Sequence, residues 1–143
     1  HLQVRGGMSV ADLTTNSTSW GNYNDATFKI ENGKYTTSPS TAESFKDYTE
    51  NTSGKVENST KLQNKSVLLT TGANGSQNCK MNIYDIAGNE YEWTLERSTN
   101  ASIPCAYRGG RYSGNGSSSP ASVRYDNLPA NSFSSYSFRS ALY

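Results

Sequence analysis

Asp85, Asn89 and Glu92 fall within eight residues of one another, across a glycine-containing turn, in "YDIAGNEYEWTLE" (84–96). Carboxylates and backbone carbonyls gathered by so short a turn suit a hard cation such as calcium. The same residues also suit an Asx-type turn that leads into a strand with Tyr91 and Trp93 packed inward. On the residue types alone both readings stay open.

Other chemistries are poorly served. Serines are abundant, but the single histidine is His1, at one extreme of the sequence, and no lysine stands in a Ser-Lys motif, so a serine nucleophile lacks a base. Paired carboxylates for acid-base work reduce to Asp85 with Glu92, or Asp126 with a partner, and the first pair is better explained by calcium or by a turn.

The 143 residues fit one domain, 1–143, with a modest core. A charged fraction of only 17% beside 10 Tyr, 4 Phe and 2 Trp argues against disorder and for a folded, irregular domain of loops and short strands. The net charge of +1, with no basic cluster beyond Arg108, Arg111 and Arg124, excludes the electrostatic footprint of a nucleic-acid binder. No apolar run approaches the length of a membrane span, so membrane insertion is not expected. The start "HLQVRGGMSV" has neither an initiator Met nor a signal-peptide core, and the chain is read as the C-terminal part of a larger protein.

These elements must position the turn. "ATFKIENGKYTTS" alternates about Asn32-Gly33 as a hairpin would, with Phe28, Ile30 and Tyr35 on its buried side. "STAESFKDYTENTSGKVENSTKLQ" has no sustained period and reads as a long surface excursion with one helical turn at "AESFKDY". "SVLLTTG" (66–72) is a short apolar segment, either a buried strand or a helix end. "CAYRGGRYS" and "SYSFRSALY" alternate as strands, separated by a stretch dense in turn residues. Asn-X-Ser/Thr triplets at Asn16, Asn51, Asn58, Asn64, Asn74, Asn100 and Asn115 are what this composition gives by chance, and no glycosylation is expected from them. The fold class is α+β, a small antiparallel sheet with extensive loops and few short helices.

Beyond these patterns, "NIYDIAGNEYEWTLE", then "YRGG" (107–110), then "SFRSALY" resembles, in order and spacing, the motif series of the formylglycine-generating enzyme (sulfatase-modifying factor) superfamily. The resemblance covers about residues 80–143; no motif is placed before about Lys80. It implies a variant of the C-type lectin-like fold. It also implies a structural calcium ion held by Asp85 and Glu92, with the carbonyls of Gly88 and Glu90, and with Ile86 as an additional carbonyl donor. Trp93 would be core, and Arg108 and Arg139 framework residues.

The resemblance does not carry the family's chemistry. Its oxidases use a copper-binding cysteine pair after the Arg-Gly-Gly motif, and here Gly114 and Ser119 stand in those places. Its iron-dependent branch uses a histidine set that this chain cannot supply. Neither copper nor iron, and no catalysis, is expected. The only cysteines, Cys79 and Cys105, each precede one of the motifs; a disulfide between them would close a loop of about 26 residues, contribute about 3 kcal/mol and favour an extracellular setting. Two buried free thiols are the alternative. Ser137 stands where the family's Gly-Phe-Arg has glycine, a departure that matters if the backbone there is left-handed.

A scaffold without its chemistry turns the focus to Arg111–Phe138, rich in Tyr, Ser, Asn, Asp and Phe. Tyr gives large contact area at low entropic cost and small polar neighbours give adaptable hydrogen bonds, so Tyr112, Ser113, Asn115, Tyr125, Asp126, Asn127, Phe133 and Tyr136 are the candidate ligand contacts. The segment also resembles the variable region of proteins diversified by diversity-generating retroelements. The expectation is a recognition domain, adhesin or receptor-binding in kind, displayed on a bacterial surface or phage particle and taking a protein or glycan ligand. A structural subunit of a fibre, pilus or phage tail, assembling with itself, is the alternative, and an enzyme with an unrecognised site is a third. An ordinary irregular surface is the bland reading of the same residues.

Overall fold

The computed structural model describes residues 7–31, 33–37, 45–47, 55–73, 79–80 and 83–139. They form one short helix and twelve short strands, a mostly antiparallel architecture with large loops. The α+β expectation holds at that level.

Helix α1 (Val10–Thr14) starts at Ser9, whose hydroxyl accepts the Asp12 N–H while Asp12 accepts the Ser9 N–H, a reciprocal capping box. Strand β1 (Phe28–Lys29) pairs with β5 (Thr60–Lys61), which pairs with β4 (Val56–Glu57). A second sheet sets β2 (Lys34–Thr36) between β3 (Lys46–Asp47) and β6 (Leu68–Leu69). The hairpin expected about Asn32-Gly33 is therefore not formed, since its two arms join different sheets; Asn32 itself lies outside the described residues. Phe28, Ile30 and Tyr35 are nonetheless buried as expected.

The expected surface excursion is corrected too. Val56↔Lys61 and Glu57↔Thr60 enclose a two-residue loop, and Asn58 and Ser59 both have positive φ (47° and 58°), the type I′ turn that matches strand twist. This hairpin buries Val56 and Lys61 completely. Of "AESFKDY", Lys46 and Asp47 are strand, and residues 42–44 and 48 lie outside the described residues.

The core gathers Trp20, Tyr23, Phe28, Ile30, Tyr35, Val56, Val67, Leu69 and Ala87. Against it stands the ribbon β7 (Cys79–Lys80) with β8 (Ile83–Tyr84), and the four-stranded sheet in the order β11 (Arg124–Asn127), β10 (Cys105–Arg108), β9 (Tyr91–Arg97), β12 (Tyr136–Phe138). In that sheet β12 runs parallel to β9, with Tyr136↔Tyr91 and Phe138↔Trp93 in register. Ser137 lies in β12 and is absent from the positive-φ residues, so no left-handed backbone resists its side chain.

Lys61 is the unusual core residue. Its ammonium donates to the carbonyls of Tyr23 (2.5 Å), Ala26 (2.7 Å) and Asn24 (3.2 Å) and sits 5.6 Å from the Phe28 ring centroid. Three carbonyl acceptors satisfy the three donors of an ammonium, which is how a charge tolerates such burial. The clamped loop 22–26 then receives the C-terminal half: Asn24 N–H bonds to the Gly114 carbonyl, Asp25 accepts the Gly116 N–H, and the Tyr23 hydroxyl reaches the Gly109 carbonyl.

Candidate functional site: an aromatic face and a pinned turn

The turn before β9 is left-handed at Asp85 (φ 56°), Gly88 (φ 71°) and Asn89 (φ 62°). Gly88 lies against Asn22 so closely that a β-carbon would overlap the Asn22 carbonyl, which is why glycine stands there. Asn89 is buried, and its amide acts as a surrogate strand: Oδ1 accepts the Leu69 N–H (3.0 Å) and Nδ2 donates to the Leu69 carbonyl (3.0 Å). Oδ1 also accepts from Asn22 Nδ2 (2.9 Å), which in turn donates to the Val67 carbonyl (2.8 Å). One Gly-Asn pair thus closes the edge of β6 and joins the N-terminal core to β9.

The two carboxylates expected to hold calcium both have partners within the chain. Both carboxylate oxygens of Glu92 are engaged by the Arg139 guanidinium, and Arg139 Nη2 also reaches the Asp85 carbonyl (3.4 Å). Asp85 Oδ2 accepts the Gly72 N–H (3.1 Å). Among the described residues no three His, Cys, Asp or Glu side chains gather as a metal-holding group. The cavity here, about 290 Å³, is lined by Thr71, Asp85, Asn89, Glu90, Glu92, Ser137, Phe138 and Arg139. Burial raises the Glu90 carboxyl above its usual range, and the charges of Asp85 and Glu92 push it the same way.

The four-stranded sheet has two unlike faces. Alternation along the strands puts Tyr91, Trp93, Tyr107, Tyr125 and Tyr136 on one of them. Tyr107 lies at the centre, with ring centroids 4.8 Å from Tyr136, 4.9 Å from Tyr91 and 5.5 Å from both Trp93 and Tyr125. Tyr136 extends the layer to Phe133 at 5.1 Å. Most pairs meet edge to face, the arrangement that ring quadrupoles favour. Tyr125 and Phe133 are 39% and 56% exposed, so this layer reaches solvent along β11 and the loop beyond it. Arg111 stands over the Tyr91 ring at 5.7 Å, and the Asn127 amide donates to the Tyr136 hydroxyl (3.1 Å). Burial, followed by the neighbouring Tyr136, raises the Tyr107 hydroxyl.

The other face is ionic. Glu96 pairs with Arg108 (2.7 Å) and Arg124 (2.6 Å), and Arg124 with Asp126 (2.8 Å). Arg108 also donates to the Ser122 carbonyl.

Of the eight expected ligand contacts, Tyr125, Phe133 and Tyr136 meet in the ring layer and Asn127 joins them through its amide. Asp126 does not: strand alternation turns it to the ionic face, where Arg124 holds it. Tyr112, Ser113 and Asn115 belong to a loop docked on residues 17–25, and Asn115 offers its carbonyl to the Ser118 and Ser119 amides. Tyr112 is half-buried, its amide bonded to the Asn89 carbonyl and its hydroxyl raised by burial. Tyr91 and Tyr107 lie outside the eight expected contacts, and Trp93, expected in the core, is half-buried in this same layer. The alternation in "YEWTLE" and "CAYR" carries the signal that would have found them.

Cys79 and Cys105 are both free and half-buried, one in the β7–β8 ribbon and the other in the four-stranded sheet, so the anticipated disulfide is not formed. No family model, curated protein or solved structure matches this chain.

Proposed function

We propose that this domain is a non-catalytic recognition module that binds a protein or glycan ligand on the aromatic face of its four-stranded sheet. The observation that carries the reading is the segregation of that sheet, six interlocked rings on one side and its ion pairs on the other. Such a face offers rigid, amphipathic contact area already ordered before binding, the composition of recognition hot spots. In this reading Tyr125, Phe133 and Tyr136 touch the ligand, Asn127 and Arg111 supply polar contacts, and Tyr91, Trp93 and Tyr107 hold the rings in place.

The motif resemblance supports placing the domain among C-type lectin-like variants of the formylglycine-generating enzyme superfamily, akin to the variable proteins of diversity-generating retroelements, and displaying it on a bacterial surface or phage particle. A test is binding of the purified domain to a glycan array and to intact bacterial cells, against Tyr125→Ala and Phe133→Ala variants with unchanged thermal midpoints. Loss of the wild-type signal in both variants upholds the reading, and equal signals overturn it. Exposed Leu128, Phe133 and Phe138 favour a second reading, a subunit of an extracellular fibre or phage tail. A monomer by size-exclusion chromatography with light scattering at high concentration counts against that one.

A further inference from the structure

The Glu92 carboxylate that the motif resemblance assigns to calcium is met instead by a side chain of the same domain. Arg139 forks onto both carboxylate oxygens of Glu92 and places Nη2 at 3.4 Å from the Asp85 carbonyl. Glu92 sits at the start of the sheet beside Tyr91, Asp85 at the left-handed entry to the turn, and Arg139 directly after β12. The guanidinium therefore joins the turn to the start of β9, as a metal ion held by Asp85 and Glu92 would, and ties the end of β12 to both.

We propose that Arg139 is the built-in cation of this turn, taking the place of a divalent metal, so that the domain is calcium-independent and β12 is held in the sheet by its own arginine. Asp85, Glu90 and Glu92 line the cavity together with Arg139. The planar fork of a guanidinium matches a carboxylate bidentately and leaves one nitrogen for a carbonyl, so one side chain serves both acceptor types.

β12 pairs with β9 over only three residues, and it carries Tyr136. Holding its end at Arg139 thus fixes one of the six rings of the aromatic layer. The inference is independent of what that layer binds.

The proposal is tested by calcium titration of the wild-type domain and of Arg139→Gln, followed by thermal midpoint and calorimetry, with Arg139→Lys and Arg139→Gln/Glu92→Gln as companions. The wild type is expected to show no midpoint change between chelator and about 5 mM calcium. Arg139→Gln is expected to be destabilised in chelator and to regain a few degrees as calcium rises, because a ligand that binds only the folded state raises its stability with concentration. Arg139→Lys keeps a cation and is expected to stay calcium-blind; the double variant loses the acceptor and is expected to lose the calcium response. Folding of Arg139→Gln only when calcium is present also meets the expectation. A wild type whose midpoint climbs with free calcium overturns the proposal. So does an Arg139→Gln chain that calcium does not rescue, for Arg139 is then an ordinary ion-pair partner.

Discussion

A β-carbon built on Gly114 lies 3.8 Å from that of Ser119. These are the two positions at which the motif resemblance places a cysteine pair, and the separation is the mean for a disulfide. The loop thus has the β-carbon spacing that a disulfide needs while carrying no thiol. Gly114 has no left-handed φ, and its nearest neighbour to such a carbon is the Arg111 carbonyl at 3.5 Å, so a side chain enters without strain.

The double substitution Gly114→Cys/Ser119→Cys should therefore oxidise to an intramolecular disulfide. Mass spectrometry under non-reducing conditions would find it. The loop is short, so the expected gain in stability is only about 2 kcal/mol. Two thiols that stay reduced in mild oxidant would mean that the 114–119 turn differs from the one described.

Centre and rim of the ring layer should separate in mutagenesis. Tyr107 contacts four other rings, and Tyr107→Ala should cost about 3 kcal/mol in urea denaturation. Tyr125, at the edge and 39% exposed, should cost about 1 kcal/mol or less when changed to Ala. Equal losses at the two positions would remove the distinction between rings that hold the face and rings that present it.

Lys61 gives the domain a pH dependence with a definite sign. Burial lowers its ammonium to about 8, against an ordinary 10.5, with Asp25 opposing the shift. Between these values the unfolded chain holds a proton that the folded chain has released, so this residue makes stability rise with pH from about 8 upward. Buried Tyr23, raised by desolvation, works the other way, but only above its ordinary value of 10.0. Urea midpoints from about pH 7.5 to 9.5 should thus climb in the wild type and lie flat in Lys61→Met. That variant should also be weaker overall by about 3 kcal/mol, since three carbonyls lose their donor. A flat wild-type profile would show that Lys61 stays charged throughout, its three carbonyls outweighing desolvation.

Much of this arrangement was legible wherever a residue type dictates its own surroundings. Phe28, Ile30 and Tyr35 alternate and are buried; Gly88-Asn89 reads as a tight turn and forms one; Tyr125, Phe133 and Tyr136 read as recognition residues and lie together in one layer. What stayed hidden depends on partners distant in sequence. Nothing near Lys61 says that its ammonium lies among carbonyls from residues 23–26, because that contact exists only once the β4–β5 hairpin folds back on β1. Nothing near Glu92 says that its carboxylate is paired with Arg139, 47 positions away, which a parallel strand brings to it. Asp126 reads as a surface contact until pairing of Ala106 with Asp126 fixes which face it takes. A single sequence carries local periodicity, but register between strands is a tertiary property.

Asn89 supplies the most discriminating change. Its side chain satisfies both backbone groups of Leu69 and its own φ is 62°, so clamp and backbone conformation are two separate requirements. Asn89→Gly keeps the left-handed backbone and removes only the clamp, leaving the Leu69 groups and the Asn22 amide short of partners; about 2–3 kcal/mol should be lost. Asn89→Ala loses the clamp and adds about 1 kcal/mol of backbone strain. Asn89→Asp keeps the shape and the acceptor but faces the Leu69 carbonyl with an acceptor instead of a donor, and should be worst at neutral pH, recovering as acid protonates the carboxyl. Chemical denaturation of the three variants at about pH 4 and 7 gives the order. Gly should be the mildest and Asp the only one to gain on acidification relative to wild type; an Asp variant as stable as wild type at neutral pH would mean that this amide does not serve as the missing strand of β6.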